Sequence, residues 1–200
     1  KGLGYEGQQL IMYMPTFRGK ADQIEVEGFG TRIHQHLHEL DSRLSDEQTL
    51  LIKVHPFIQN QIEISQYSHI KPIPENVDSY EVLNACDVLI TDYSSVMYDF
   101  AITRRKIILF AYDYEEYIRE RGLYENITDY PFSMAETVDD IIRELGNDSG
   151  SVNKEFLMKY ATYESRDAAE KICRQIFLEE NCCALVKMNK NNKKNILFYA

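Results

Sequence analysis

The chain has 200 residues, of which 44% are hydrophobic, and this is enough to bury one substantial core. Its formal charge of -10 at pH 7 excludes the basic surface with which nucleic-acid-binding proteins displace phosphate counterions, so we expect no nucleic acid as a partner. The four cysteines form no Cys-x-x-Cys motif, and no apolar run reaches the roughly 18 to 20 residues of a membrane span. A globular domain in a reducing cytoplasm fits these features best.

Short apolar runs alternate with segments of helical periodicity, which is the pattern of βαβ units with a parallel sheet. Pro56 stops the second strand, Ser79 is predicted as a helix N-cap, and Gly122 and Gly146 are predicted to end two helices. The predicted elements in chain order are strand Leu10–Met14, helix Thr31–Leu44, strand Thr49–His55, short strand His69–Ile73, helix Ser79–Cys86, strand Asp87–Thr91, helix Ser95–Thr103, strand Lys106–Ala111, and helices Tyr114–Arg121, Thr137–Leu145, Asn153–Tyr160 and Ser165–Leu178.

The composition changes near the C-terminus. Residues 1–180 are predicted to form one α/β domain, and the polar, basic tract 181–195 is predicted to be a linker. The apolar run 196–200 would then begin a following domain. Because the chain starts without methionine and stops on this strand-like run, we expect a piece of a longer polypeptide with adjoining domains.

Three polar clusters follow predicted strands: Pro15–Arg18, Lys53–Pro56 and Thr91–Ser95. In a parallel sheet, ligands bind outside the carboxyl ends of the strands, so these clusters should share one edge. The third cluster leads directly into a helix, whose free N–H groups and flanking hydroxyls can hold a phosphate. The alternative is that Ser94 or Asp92 only caps the helix, and both readings can hold together.

For individual side chains in these clusters, the sequence allows a functional and a structural interpretation. His55 could contact a phosphate or protonate a leaving group, and Lys53 is predicted to point to the same side of the strand; a structural histidine is the alternative. Arg18 could bind a phosphate through two hydrogen bonds or be an ordinary surface arginine.

Two further groups carry weaker signals. The histidines at positions 34, 36 and 38 lie on a predicted helix far from any carboxylate-rich strand end, so no metal site is predicted. The aromatic segment Tyr112–Tyr117 could line a pocket or form ordinary helix surface, with Asp113 as its N-cap.

Taken in order, these segments resemble the CDP-glycerol:poly(glycerophosphate) glycerophosphotransferase family of teichoic acid primases and polymerases. The resemblance covers about residues 8–178 and implies the C-terminal, donor-binding half of a GT-B fold, which consists of two Rossmann-like halves. The matching pieces are Met12–Arg18, Lys53–Pro56 and Ala85–Phe100, followed by Asp113, Tyr117, Arg121 and Gly122.

The resemblance implies a reaction in which glycerol phosphate or ribitol phosphate passes from CDP-glycerol or CDP-ribitol to a lipid-linked, teichoic acid-like acceptor, with release of CMP. It implies no cofactor and no metal, and a cytoplasmic parent protein that is peripheral at the inner face of the cell membrane. By resemblance, His55 is the catalytic residue of this half. The donor nucleotide and its phosphates are expected to contact Thr16, Arg18, Lys53, His55, Pro56, Asp92, Tyr93, Ser94, Ser95, Asp99, Arg121 and Gly122.

The chain departs from the family in two ways. The N-terminal half, whose Trp-His-Gly segment supplies the expected general base and whose side of the cleft takes the acceptor, is absent from these residues. We therefore expect the chain alone to bind nucleotide weakly at best and to have no transferase activity. The usual proline- and glycine-rich stretch is replaced by Asp129–Met134. Two alternatives remain: a nucleotide-sugar glycosyltransferase or epimerase of GT-B fold, which would prefer UDP, and a non-catalytic nucleotide-binding scaffold.

Overall fold

The computed structural model describes residues 4–18, 29–59, 62–74, 76–147 and 154–178. The chain divides into two units, Lys1–Ala161 and Thr162–Ala200. The predicted linker 181–195 and the predicted start of a following domain at 196–200 lie outside the described residues, and those boundaries stay predictions.

The first unit contains a parallel sheet between layers of helices. Its strands are β1 (Gln9–Met14), β2 (Gln48–Ile52), β3 (Ile70–Pro72), β4 (Val88–Thr91), β5 (Lys106–Phe110) and β6 (Ser133–Ala135). Its helices are α1 (Phe29–Asp41), α2 (Pro56–Gln59), α3 (Ser79–Ala85), α4 (Val96–Ala101), α5 (Tyr114–Arg121), α6 (Val138–Leu145) and α7 (Lys154–Tyr160), with short 3-10 turns at Ile64–Gln66 and Ile127–Asp129.

The strand order decides where a ligand can bind. The order is β3-β2-β1-β4-β5-β6, and every pairing among these described strands is parallel. Winding proceeds in one direction from β1 to β3 and in the other from β4 to β6, so the direction reverses between β1 and β4. At such a reversal the two strands lead to helices on opposite faces of the sheet, here α1 and α4, which opens a crevice outside the strand ends. The α/β, Rossmann-like fold predicted from the alternation of elements is confirmed.

Two apolar layers hold the sheet, one on each face. Successive strand side chains point to opposite faces, so Ile11 and Tyr13 of β1 enter one core, whereas Leu10 and Met12 enter the other. Burial on both faces explains why the strands read as continuous apolar runs. The first core is closed by the apolar stripe of α1 and the second by α4; the helical residues involved are Ile33, Leu37 and Leu40 from α1, and Val96, Met97 and Phe100 from α4.

Several local predictions were wrong or incomplete. Strand β2 ends at Ile52, so strand alternation cannot place Lys53 and His55 on one side. Asp78, not Ser79, caps α3, because its carboxylate accepts the N–H of Tyr80 at 2.8 Å. The short elements α2 and β6 were not predicted, since runs of three or four residues carry too little periodicity.

The predicted end of α5 is confirmed. Gly122 has φ +71°, a conformation that favours glycine, and its N–H donates to the carbonyl of Ile118 at 3.0 Å. In the second unit, α8 (Ala168–Phe177) begins after Asp167. No helix in the described ranges is both long enough and apolar enough to cross a membrane.

Candidate functional site

The loops that leave β1 and β4 are tied together at the crevice by Asp92. Its carboxylate accepts hydrogen bonds from the N–H of Thr16 at 2.9 Å, from the Thr16 hydroxyl at 2.6 Å and from the N–H of Tyr93 at 2.6 Å. Asp92 is 2% exposed. Asp92 therefore does not cap α4, which was one of the two interpretations of the sequence. It connects the loop after β1 to the turn after β4.

Arg18 joins this pair to a third strand. Its Nη2 lies 2.7 Å from Asp92 Oδ2, and its Nε lies 2.7 Å from Asp113 Oδ2, in the loop after β5. Nη2 also donates to Asp113 Oδ1 at 3.1 Å, and Nη1 donates to the carbonyl of Thr16 at 2.6 Å. The Arg18 side chain is 10% exposed. We call Arg18, Asp92 and Asp113 the strand-end clamp, because they connect the carboxyl ends of β1, β4 and β5.

Tyrosine rings surround the guanidinium of the clamp. Tyr93 stacks on Tyr117 with ring centroids 3.7 Å apart, and the Tyr93 hydroxyl donates to Asp113 Oδ1 at 2.9 Å. The Arg18 Cζ lies 4.9 Å from the Tyr93 ring centre, 5.1 Å from that of Tyr117 and 5.9 Å from that of Tyr112. Aromatic faces attract cations at such distances, so the rings add to the carboxylates in holding Arg18.

Electrostatics and burial keep Arg18 charged and Tyr93 and Tyr112 neutral. Burial lowers the pKa of Arg18, but Asp92 and Asp113 outweigh it, so the pKa is raised and the guanidinium stays charged. Burial, followed by the Asp113 charge, raises the pKa of Tyr93. Burial raises the pKa of Tyr112 to about 12, against the opposing effect of Arg18. The phenols are therefore neutral hydrogen-bond donors at neutral pH.

The two serines between β4 and α4 are held differently. The Ser94 hydroxyl oxygen accepts the N–H of Val96 at a long 3.4 Å. Ser95 occupies the N-cap position of α4, but its side chain makes no cap hydrogen bond with the described residues. Ser94 is half-buried and Ser95 is exposed. Ser94 therefore caps α4 only weakly, and both hydroxyls belong to the turn at the start of this helix.

Lys53 and His55 follow β2 on the neighbouring side of the crevice. The N–H of Lys53 donates to the carbonyl of Tyr13, and its Nζ lies 2.5 Å from the hydroxyl of Ser79 at the start of α3. The exposed His55 ring stacks on Phe17, with centroids 4.8 Å apart. Since Phe17 lies between the two residues that bind Asp92, His55 stands beside the clamp, just before α2 begins at Pro56.

The other predicted residues lie farther along the helices. Asp99 on α4 accepts the hydroxyl of Tyr80 at 3.2 Å and makes no hydrogen bond to the clamp among the described residues. The Arg121 Cζ lies 5.8 Å from the Tyr117 ring centre, so it reaches the tyrosines around the clamp, and Gly122 follows it. The structure thus brings Thr16, Arg18, Asp92 and Tyr93 into one hydrogen-bonded group.

Asp113 is the residue whose role the sequence reading missed. It occupies the N-cap position of α5, as predicted, but its side chain makes no cap hydrogen bond and binds Arg18 instead. A usable signal was its place just after an apolar strand, at the same edge of the sheet as the other clusters.

Two cavities lie elsewhere on the described part of the chain, and none of the predicted site residues lines them. A cavity of about 420 Å³ is bounded by the segment 125–131 and by α7, and one of about 370 Å³ lies around His69. We assign the site to the crevice because the strand ends, the clamp and the polar loops converge there. Among the described residues, no three His, Cys, Asp or Glu side chains are grouped so that they could hold a metal ion.

Comparison with known proteins gives a consistent result. Residues 3–178 match the family described as CDP-Glycerol:Poly(glycerophosphate) glycerophosphotransferase. The chain is 29% identical over 183 residues to the teichoic acid ribitol-phosphate polymerase TarK of Staphylococcus aureus, covering 86% of this chain and 34% of that protein. It is 38% identical over 125 residues to the teichoic acid glycerol-phosphate primase of Bacillus subtilis, covering 62% of this chain and 31% of that protein.

Solved structures agree with this result. The wall teichoic acid polymerase TagF superposes with a TM-score of 0.68 at 28% identity, covering 86% of this chain and 44% of TagF. The UDP-GlcNAc 2-epimerase of Methanocaldococcus jannaschii, at 14% identity and a TM-score of 0.53 over 84% of this chain and 45% of the epimerase, shares the fold alone. The chain therefore spans about a third of the curated relatives named above and less than half of the solved polymerase.

Proposed function

This chain belongs to the CDP-glycerol:poly(glycerophosphate) glycerophosphotransferase family, and we propose that it is the donor-binding half of such a transferase. In the parent enzyme, glycerol phosphate or ribitol phosphate passes from a CDP-activated donor to a lipid-linked, teichoic acid-like acceptor. The observation that carries the proposal is the family match over residues 3–178, which includes every loop at the crevice. A TagF variant soaked with CDPG, 26% identical to this chain, adds support.

The reaction is a displacement at phosphorus. An acceptor hydroxyl oxygen bonds to the β-phosphorus of the donor, the bond between that phosphorus and the bridging oxygen breaks, and CMP leaves with the electron pair. The hydroxyl proton passes to a base in the other half of the parent enzyme. Charge that develops on the bridging oxygen and the non-bridging oxygens must be stabilised by hydrogen-bond donors.

We expect three groups at the crevice to supply such donors. His55 is exposed beside the β1 loop and acts on the leaving CMP, either by hydrogen bonding or by protonation. The Ser94 and Ser95 hydroxyls, with the N–H groups of their turn, meet the phosphate oxygens. We predict that the remaining contacts with the CDP-activated donor are made by Thr16, Lys53, Pro56, Tyr93, Asp99, Arg121 and Gly122, whereas Asp92, which is 2% exposed, holds Thr16 and Tyr93 in place.

We expect the parent protein, rather than this chain alone, to contact the acceptor and the membrane. An open crevice on a single half cannot exclude water from the diphosphate, and a second half that closes over it would do so. A lipid-linked acceptor places the parent in the cytoplasm at the inner face of the cell membrane.

Calorimetric titration of the chain with CDP-glycerol, CDP-ribitol, CDP and UDP tests the proposal. We expect the cytidine nucleotides to bind and UDP to bind more weakly. His55→Ala should weaken CDP-glycerol binding about tenfold, because it removes one hydrogen bond to a charged group.

His38→Ala is the matched control, since His38 is an exposed histidine on α1, away from the crevice, and its loss should leave the affinity unchanged. Binding of UDP in preference to the cytidine nucleotides would favour a nucleotide-sugar enzyme. Absence of all nucleotide binding by the chain, together with failure of the parent protein to turn over either CDP-polyol, would favour a scaffold.

A further inference from the structure

We propose that Arg18 is a positioning residue, which acts on the donor through Asp92 and Asp113 rather than by binding its phosphates. The inference rests on the proposed function for the identity of the ligand, but the clamp itself is an independent property of this chain. It replaces the expectation that Arg18 is a phosphate contact, and it gives a role to Asp113 that the sequence reading did not assign.

The hydrogen bonds of Arg18 argue for this role. Its Nε, Nη1 and Nη2 all donate to protein oxygens, in four hydrogen bonds of 2.6 to 3.1 Å. A guanidinium that binds phosphate needs its planar pair of donors turned towards the ligand, whereas here Nε and Nη2 form that paired contact with Asp113.

Charge and burial point the same way. Two carboxylates face one guanidinium, so the clamp as a whole carries net negative charge and has no surplus positive charge for a diphosphate. All three side chains are at most 10% exposed. Without Arg18, two buried carboxylates would be left beside the ligand, which would both repel it and destabilise the turn.

The clamp fixes the loops that follow β1 and β4. Asp92 binds the N–H groups of Thr16 and Tyr93, and Asp113 binds the Tyr93 hydroxyl, so Tyr93 is fixed from both sides. The Ser94 and Ser95 turn continues directly from Tyr93. Its N–H groups can meet a phosphate only if this segment keeps its place, because hydrogen bonds weaken steeply with misalignment.

The test compares Arg18→Met, Asp113→Ala and the double variant in the 200-residue chain. Hydrogen exchange of the Thr16 and Tyr93 amides is measured relative to the Ile90 amide in β4, and CDP-glycerol affinity is measured by calorimetry. We expect each single variant to accelerate relative exchange and to weaken binding by about tenfold, and the double variant to be no worse than the stronger single one, because both break the same link.

Asp113→Ala separates the two roles. It removes a negative charge near an anionic ligand, so a weaker affinity can arise only through the clamp. If Asp113→Ala keeps or improves the affinity while Arg18→Met loses it, Arg18 contacts the phosphate directly and the inference is wrong. Unchanged relative exchange in both single variants would also overturn it.

Two controls keep the test informative. Glu115→Ala removes an exposed carboxylate from α5 outside the clamp and should change neither readout. Tyr93→Phe removes only the hydroxyl that binds Asp113, so a small acceleration of exchange is expected even if the stronger variants fold poorly. If the unaltered chain does not bind CDP-glycerol and the parent protein turns over neither CDP-polyol, the proposed function fails, while the exchange measurement still decides whether the clamp exists.

Discussion

Strand β4 has an aspartate at each end, and both bind the same neighbouring strand in opposite surroundings. Before the strand, Asp87 accepts the N–H of Leu10 at 2.9 Å and is exposed. After the strand, Asp92 accepts the N–H of Thr16 at 2.9 Å, is 2% exposed and is ion-paired with Arg18. Each carboxylate closes the β1–β4 pair, but only Asp92 is buried with a partner charge.

The difference separates what a fold needs from what a site needs. At the amino end of β4, the β1–β4 backbone pairing is closed by an exposed carboxylate, that of Asp87, which accepts the N–H of Leu10. A buried carboxylate costs several kcal/mol of desolvation and has to be compensated by charges and hydrogen bonds. The carboxyl end of the sheet holds two such carboxylates around Arg18. We infer that the geometry at this end serves a purpose beyond strand pairing.

The largest expected effect is therefore at Asp92. Asp92→Ala leaves the Arg18 charge partly unpaired and the Thr16 N–H without its acceptor, so the free energy of unfolding should fall by about 3 to 5 kcal/mol. Asp87→Ala should lower it by only about 1 kcal/mol, because water replaces the lost acceptor at an exposed position.

Urea denaturation of the two variants beside the unaltered chain measures both values. Equal losses would show that the ion pairing of Asp92 adds nothing beyond a strand-end hydrogen bond, and the comparison would lose its meaning.

The second-largest effect is expected at alkaline pH, which should lower the stability of the fold around Tyr112 at the carboxyl end of the sheet. The pKa of Tyr112 in the folded chain is raised to about 12 by burial, against 10.0 ordinarily, so the folded state holds this proton more tightly than the unfolded state. The associated stability is fully present below pH 10 and is lost as pH rises towards 12, by on the order of 2 kcal/mol.

Unfolding midpoints between pH 9 and pH 12 test this pH dependence. Tyr112→Phe should flatten the decline, whereas Tyr163→Phe, at a position that is 75% exposed, should not. A decline of the same steepness in Tyr112→Phe would assign it to other groups.

The smallest expected effect on stability is at the exposed N-terminus of α6, where a carboxylate takes part in capping the helix. At α6, the Thr137 hydroxyl accepts the N–H of Asp140 at 3.2 Å, and the Asp140 carboxylate accepts the N–H of Thr137 at 3.0 Å. Hydrogen bonds from Thr137 lower the pKa of Asp140 to about 2. Thr137→Ala should reduce the free energy of unfolding by about 1 kcal/mol and leave CDP-glycerol binding unchanged.

Thermal unfolding and calorimetry of Thr137→Ala check this pair of outcomes. If Thr137→Ala lowered the free energy of unfolding as much as Asp92→Ala, burial would not explain why the Asp92 contacts contribute more than the exposed contacts of Asp140.

The parallel α/β sheet, the helix faces and the convergence of the polar clusters could be predicted from the residues of the chain. The apolar runs of β1, β4 and β5 are continuous because both faces of the sheet are buried, and the stripe of Ile33, Leu37 and Leu40 has helical spacing. The polar clusters that follow β1, β2 and β4 were expected at one edge of the sheet, since parallel strands end at the same edge. The family resemblance was also carried by these segments, and the match over residues 3–178 confirms it.

The partners of the side chains came only from the tertiary structure. Arg18 and Asp113 are far apart in sequence, and nothing local distinguishes an arginine that binds phosphate from one that binds two carboxylates. Asp113 fills an N-cap position in the sequence pattern, yet a nearby guanidinium is a stronger partner than a backbone N–H. Periodicity depends on how each element meets the core, whereas ion pairing depends on which loops the strand order brings together.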